Sequence, residues 1–124
     1  MDPPSVKSLA PMAYVADVAA SAAFYARLGF EIRASFTPPG EAGPSWLSLC
    51  SGGAELMLAR ASEPVVAAQQ AVLFYVYCDD VAAMHSALAA AGLEPGPIAT
   101  PFYNPKGEFR LADPDGFVVM VAHL

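Results

Sequence analysis

The feature that most constrains this chain is an internal repeat with an offset of 63 residues. At that one offset Asp17 falls on Asp80, Val18 on Val81, Gly29 on Gly92 and Glu31 on Glu94. The same shift places Gly53 on Gly116 and Met57 on Met120, with no gap. Alanine-rich helices match one another by chance, but chance does not align a helix start, a helix stop and a hairpin turn together. Two copies at so long a period mark a tandem supersecondary unit, since solenoids use shorter repeats in larger number.

Each copy reads as strand, helix and three further strands. Residues 8–15 make the first strand, where Pro11 signals an edge or a bulge. Asp17 is a helix N-cap, Val18, Ala22, Tyr25 and Leu28 recur at helical spacing, and Gly29 is the stop, so a helix is predicted over 18–28. Strands follow at Phe30–Thr37, Trp46–Cys50 and Ala54–Ala59, the last two joined at Ser51-Gly52-Gly53. After a linker, the pattern restarts at Val72–Cys78. Asp80 caps a helix carrying Val81, Met84, Leu88 and Ala91 on one face, and Gly92 ends it. A weak strand near Leu93–Ala99, interrupted by prolines, precedes the loop PFYNPKG. Strands at Glu108–Ala112 and Phe117–Ala122 are joined by the turn DPDG.

The expected fold is therefore α+β: two βαβββ modules in tandem, curved mixed sheets around a cup, and helices on the outer face. At 124 residues this is one domain, with module one at 8–60, a linker at 61–70 and module two at 71–124. Alternation along each strand decides what faces the cup. The aliphatic sets pack under the helices, which leaves Tyr14, Glu55 and Met57 for the cup in the first module. In the second it leaves Leu73, Tyr75, Tyr77 and Met120, while the face of Glu108–Ala112 stays open. Phe24, Phe36 and Phe74 are assigned to the core.

Composition excludes several classes of function. A hydrophobic fraction of 56% argues for a packed core, yet no apolar run approaches the roughly 20 residues of a membrane span. The net charge is −6 with basic residues scattered singly, so no basic patch exists for nucleic acid. The start Met-Asp-Pro-Pro-Ser carries no secretory leader, and Cys50 and Cys78 read as buried free thiols, so the cytoplasm is the expected compartment.

Three segments resemble the glyoxalase / bleomycin-resistance / extradiol-dioxygenase family, the vicinal-oxygen-chelate superfamily. They are VADVAASAAFYARLGFEI after the first strand, CDDVAAMHSALAAAGLE in the second unit and DPDGFVVMV near the end. The resemblance spans nearly the whole chain and implies two βαβββ modules, usually in a dimer. It also implies four positions at which metal-dependent relatives place His or Glu. Here those positions are Ala10, Met57, Leu73 and Met120. Neither Ala nor Leu coordinates, and a thioether suits hard ions poorly. No metal and no cofactor are expected.

The remaining polar residues have structural readings. His85 is read as a solvated helix residue and His123 as a terminal surface histidine. Asp79–Asp80 is explained by the cap, and Asp113 and Asp115 by the turn. No nucleophile elbow, phosphate loop or CxxC is present.

Three functions remain. The favoured one is a metal-independent protein that sequesters an aromatic or cationic drug or metabolite, with antibiotic resistance as the role the resemblance implies. Tyr14, Trp46, Met57, Tyr75, Phe102, Tyr103 and Met120 would supply contact area, and Glu55 and Arg110 polar anchors, at or near a homodimer interface. Trp46 leads because it follows the turn PPGEAGP and alternates with Leu47 and Leu49. The alternative is a lyase, isomerase or other enzyme using Glu55 as acid and base, with Tyr75 or Arg110 as partner, or a non-standard metal site. The third is an interaction module without a small ligand.

Overall fold

The computed structural model describes residues 4–124; the opening Met-Asp-Pro of the segment read as leaderless lies outside them. The chain divides into two compact units, one ending at Glu63 and the other spanning Pro64–Leu124. The first holds β1 (Met12–Val15), α1 (Val18–Ala26), β2 (Glu31–Phe36), β3 (Trp46–Ser51) and β4 (Ala54–Arg60). Its sheet runs β1-β4-β3-β2, with β1 parallel to β4 and the other neighbours antiparallel. The second holds β5 (Leu73–Cys78), α2 (Val81–Ala90), β6 (Glu108–Ala112) and β7 (Val118–His123), preceded by a 3-10 turn at Ala67–Gln69. Its sheet runs β5-β7-β6, with β5 parallel to β7. The protein is thus α+β, with two helices and two mixed sheets.

The repeat extends to individual hydrogen bonds. Asp17 accepts from the Ala20 N–H at 3.1 Å, and Asp80 from the Ala83 N–H at 3.0 Å. Each such cap contributes about 0.5–2 kcal/mol. At the other helix end the Phe30 N–H reaches the Tyr25 carbonyl, and the Leu93 N–H the Leu88 carbonyl. Gly29 and Gly92 hold φ of 92° and 87° there, the left-handed stop that closes a helix with a six-to-one bond. In the sheets Met12 pairs with Met57 and Tyr75 with Met120, so the parallel registers are copies too.

Burial separates the two faces of each sheet. In the first unit Ala13, Val15, Leu47, Leu49, Leu56 and Leu58 are buried on the face that α1 covers. In the second, Phe109, Leu111, Val119 and Val121 are buried on one face, and α2 packs on β7. Burying a side chain of this size is worth about 1.5–3 kcal/mol, so the aliphatic face holds each helix down. Tyr14, Tyr75 and Tyr77 stand on the opposite faces and are exposed.

Four expectations need correction. The first strand begins at Met12 rather than residue 8, leaving Ala10 outside it; Pro11 has no N–H and contributes only its carbonyl, to the Met57 N–H. The stretch Leu93–Ala99 runs beside β6 through Gly96–Arg110 and Ala99–Glu108 bonds. It forms no continuous strand, because Pro95 and Pro97 have no N–H to donate.

Phe36, assigned to the core, is 55% exposed. A β-bulge shifts the β2–β3 register between Ile32 and Ala34, so Ile32 pairs with Leu49 while Phe36 pairs with Trp46. The extra residue reverses the alternation, and Phe36 turns away from α1. Finally, His85 is half-buried rather than solvated. Its Nε2 lies 2.9 Å from the Gly96 carbonyl and its ring stands edge-on to Phe109 at 5.0 Å. It follows Val81 by four residues and so shares the inward face.

The DPDG turn is tightly specified. Asp113 Oδ1 accepts from the N–H groups of Asp115 and Phe117, and Gly116 has φ of 86°. A Cβ on Gly116 would lie 2.4 Å from the Cβ of Ala67, in the 3-10 turn. Strain and clash coincide, so Gly116→Ala should destabilise the protein by on the order of 2–3 kcal/mol in chemical denaturation. The same change at Gly43, which has open space and no positive φ, should cost under about 0.5 kcal/mol.

Candidate functional site

The candidate residues divide between the two units: Tyr14, Trp46, Glu55 and Met57 in the first, and Tyr75, Phe102, Tyr103, Arg110 and Met120 in the second. In the first unit pairing sets up two rows across the helix-free face. Tyr14, Ala59, Trp46 and Phe36 form one, and Met12, Met57, Ser48 and Ala34 the next. Residues directly opposite across strands stand about 4.5–5.5 Å apart at Cβ. Phe36 joins Trp46 and Tyr14 through the bulge, an aromatic that simple alternation places in the core.

Glu55 lies on the same face but is already engaged. Arg33 Nη1 donates to its Oε1 at 2.7 Å, and Nη2 lies 3.5 Å from Ser48 Oγ. The bulge makes this possible: Arg33 is the extra residue between Ile32, opposite Leu49, and Ala34, opposite Ser48, and its guanidinium reaches Glu55 and Ser48. Tyr75 and Arg110, the partners anticipated for Glu55, belong to the second unit, and the partner found is Arg33.

Two concavities of about 540 and 530 Å³ open in the first unit. One lies around Asp17, Glu41 and Arg60, the other along the alanines of α1 with Phe30, Ile32 and Leu47. Neither is lined by Tyr14, Trp46, Glu55 or Met57.

In the second unit Tyr75, Met120 and Arg110 form one row, which places Arg110 on the helix-free face. Met120 is buried and Arg110 exposed. Tyr75 stacks on Tyr77 at 6.2 Å. Phe102 is almost fully exposed at the loop tip and meets Tyr103 edge-on. Tyr103 is exposed, yet its hydroxyl donates a hydrogen bond to Oε1 of Glu108. Glu108 is 4% exposed, and its Oε2 is buried with no hydrogen-bond partner among the described residues. Sequence reasoning missed it: a glutamate opening a strand reads as an edge charge, and nothing local reveals the tyrosine that folds back over it.

The four positions that the resemblance assigns to metal ligands hold Ala10, Met57, Leu73 and Met120, none of them a carboxylate or imidazole. Among the described residues no three of His, Cys, Asp or Glu are grouped to hold an ion. These side chains do not fit the family's metal site.

A family sequence model described as the Glyoxalase/Bleomycin resistance protein/Dioxygenase superfamily matches residues 8–121. The chain belongs to this superfamily. No curated protein matches it in sequence. Among solved structures, superfamily resemblance is clear in fold. A bleomycin-binding protein complexed with bleomycin has a TM-score of 0.72 at 21% identity, covering 96% of this chain and 99% of that one. A bleomycin resistance determinant encoded on transposon Tn5 gives 0.74 at 20%, covering 95% and 98%. The antibiotic binding protein TnmS3 from Streptomyces sp. CB03234 gives 0.73 at 23%, covering 99% and 98%. Among the described residues no helix is long and apolar enough to cross a membrane.

The Tyr103 phenol is pushed well above its ordinary value near 10, first by its hydrogen bond to Glu108 and then by Tyr75. Because the folded-state value is raised, this contact stabilises the protein fully below pH about 10 and is lost as pH rises through the higher value. Absorbance titration of the tyrosinate band should show one phenol ionising after the others, and Tyr103→Phe should remove that late step. If the substitution instead takes one phenol out of the ordinary step near pH 10, the contact does not form.

Proposed function

We propose that this superfamily member binds a small aromatic or cationic drug or metabolite and sequesters it without chemical change. It would act as a homodimer in the cytoplasm, with the ligand at or near the subunit interface. The observation that carries this reading is the aromatic row Tyr14–Ala59–Trp46–Phe36 on a sheet face that no helix covers. Flat rings offer large contact area at little entropic cost, the chemistry that suits planar ligands.

Two further observations support it. The fold is shared with proteins described as bleomycin-binding, as a bleomycin resistance determinant and as antibiotic binding. The family's four metal positions are held by Ala and Leu and by two Met, which removes the donors of its metal-dependent chemistry. Glu55 fits the anchor role less directly than its sequence position suggests, since a ligand cation would share its carboxylate with Arg33.

The test is a thermal-shift panel of planar heteroaromatic compounds and bleomycin against the full chain. A ligand present at about a hundred times its Kd adds about 2.7 kcal/mol, a rise on the order of 10 °C in Tm for a chain of this size. Trp46→Ala should weaken the compound that binds best by about tenfold or more while leaving the fold intact. A panel in which nothing shifts Tm would sink the reading.

A further inference from the structure

We propose that Glu108 is the anchor for a cationic group of the bound ligand, with Tyr103 as the latch that covers it. This rests on the binding reading above and adds the charge of the ligand and the residue that recognises it.

A carboxylate is an unusual occupant of this position. Glu108 is 4% exposed, and burial without a full set of partners is costly for an ionisable side chain. One oxygen accepts from the Tyr103 hydroxyl, while Oε2 is buried and has no hydrogen-bond partner among the described residues. An apolar residue would satisfy the packing without that cost, and a glutamine would bring its own donors. The fixed carboxylate instead presents one spare acceptor to whatever enters.

The surroundings identify the class of guest. Glu108 pairs with Ala122, which pairs with Tyr77, so Glu108 and Tyr77 share one row across the sheet with a small alanine between them. Tyr77 stacks on Tyr75, and Tyr75 in turn interacts with the Tyr103 hydroxyl. A carboxylate flanked by electron-rich rings attracts an organic cation by charge and by the ring quadrupoles together. A neutral guest would leave Oε2 unpaired, and an anion would be repelled. A metal ion would need more donors than are grouped here.

Access runs through Tyr103. The residue is 59% exposed, on a loop turned by the Asn104–Pro101 and Gly107–Asn104 backbone bonds and tied to β7 through Asn104 Nδ2 and the His123 carbonyl. The loop is therefore held at its base, and the Tyr103 ring stands at its exposed tip. A cation that displaces the Tyr103 hydroxyl exchanges a neutral donor for a charged one at the same carboxylate.

The test compares two probes of the same ring system by fluorescence titration of the full chain at mildly alkaline pH: proflavine, which is cationic, and acridine, which is neutral. The wild-type protein should bind proflavine about tenfold or more tightly than acridine. Glu108→Gln should bring the two affinities within about twofold by weakening proflavine alone. Tyr103→Phe, which removes the latch and keeps the ring, should tighten proflavine about threefold and leave acridine unchanged; it decides the matter if Glu108→Gln fails to fold. Retention of the wild-type preference in Glu108→Gln would overturn the anchor and leave the binding reading standing. If neither probe binds the wild type, the anchor falls; the binding reading falls with it only if the wider panel also leaves Tm unmoved.

Discussion

Everything in each unit depends on the parallel pairing of its first strand with its last. Met12 against Met57 and Tyr75 against Met120 are the closing contacts, made only after the helix and the intervening strands have brought the chain back. Closing such a loop costs entropy, and antiparallel hairpins alone would avoid it. The helix makes the closure worthwhile, since it lies against the returning sheet and buries the aliphatic face. Once the register is set, alternation leaves a second face that no helix in the unit covers, and the aromatic and charged side chains stand there.

That uncovered face departs from the superfamily's metal chemistry in a consistent way. Two of the positions that the resemblance assigns to ligands are methionines, which have bulk and no hard donor. Carboxylates remain on these faces, but at other positions and with other partners: Glu55 beside Arg33, and Glu108 beneath Tyr103. The polar chemistry of each unit lies in separate side-chain contacts, each satisfied to a different degree. Such a surface is suited to recognition, where orientation and charge select a guest.

Much of this architecture is legible in the amino-acid sequence because its signals are local. Asp17, Asp80, Gly29 and Gly92 mark helix ends by capping and by positive φ, and both helices lie where those residues place them. The repeat carries the fold class, and two-residue alternation correctly sorts Tyr14, Tyr75 and Tyr77 from their aliphatic neighbours. Prolines shorten the first strand and break the one expected at Leu93–Ala99, and the failures that bear on the site are non-local. The bulge before Phe36 exists only as a register between two strands, and the hold of Gly96 on His85 joins a helix to a segment beyond it. Tyr103 meets Glu108 because a loop folds back, which residue type and spacing do not disclose.

The bulge also has a bearing on how such a surface changes over generations. One residue's worth of extra chain in β2 separates the partners of Ile32 from those of Phe36. Removing Arg33, the extra residue, would restore plain alternation and leave Phe36 opposite Trp46, while taking away the partner of Glu55. A single-codon deletion in this edge strand can therefore release a carboxylate on the open face while the aromatic row beside it stays in register. Length variation in that strand is a route by which this scaffold can alter the charge of its open face while its helices, caps and closing strands stay as they are.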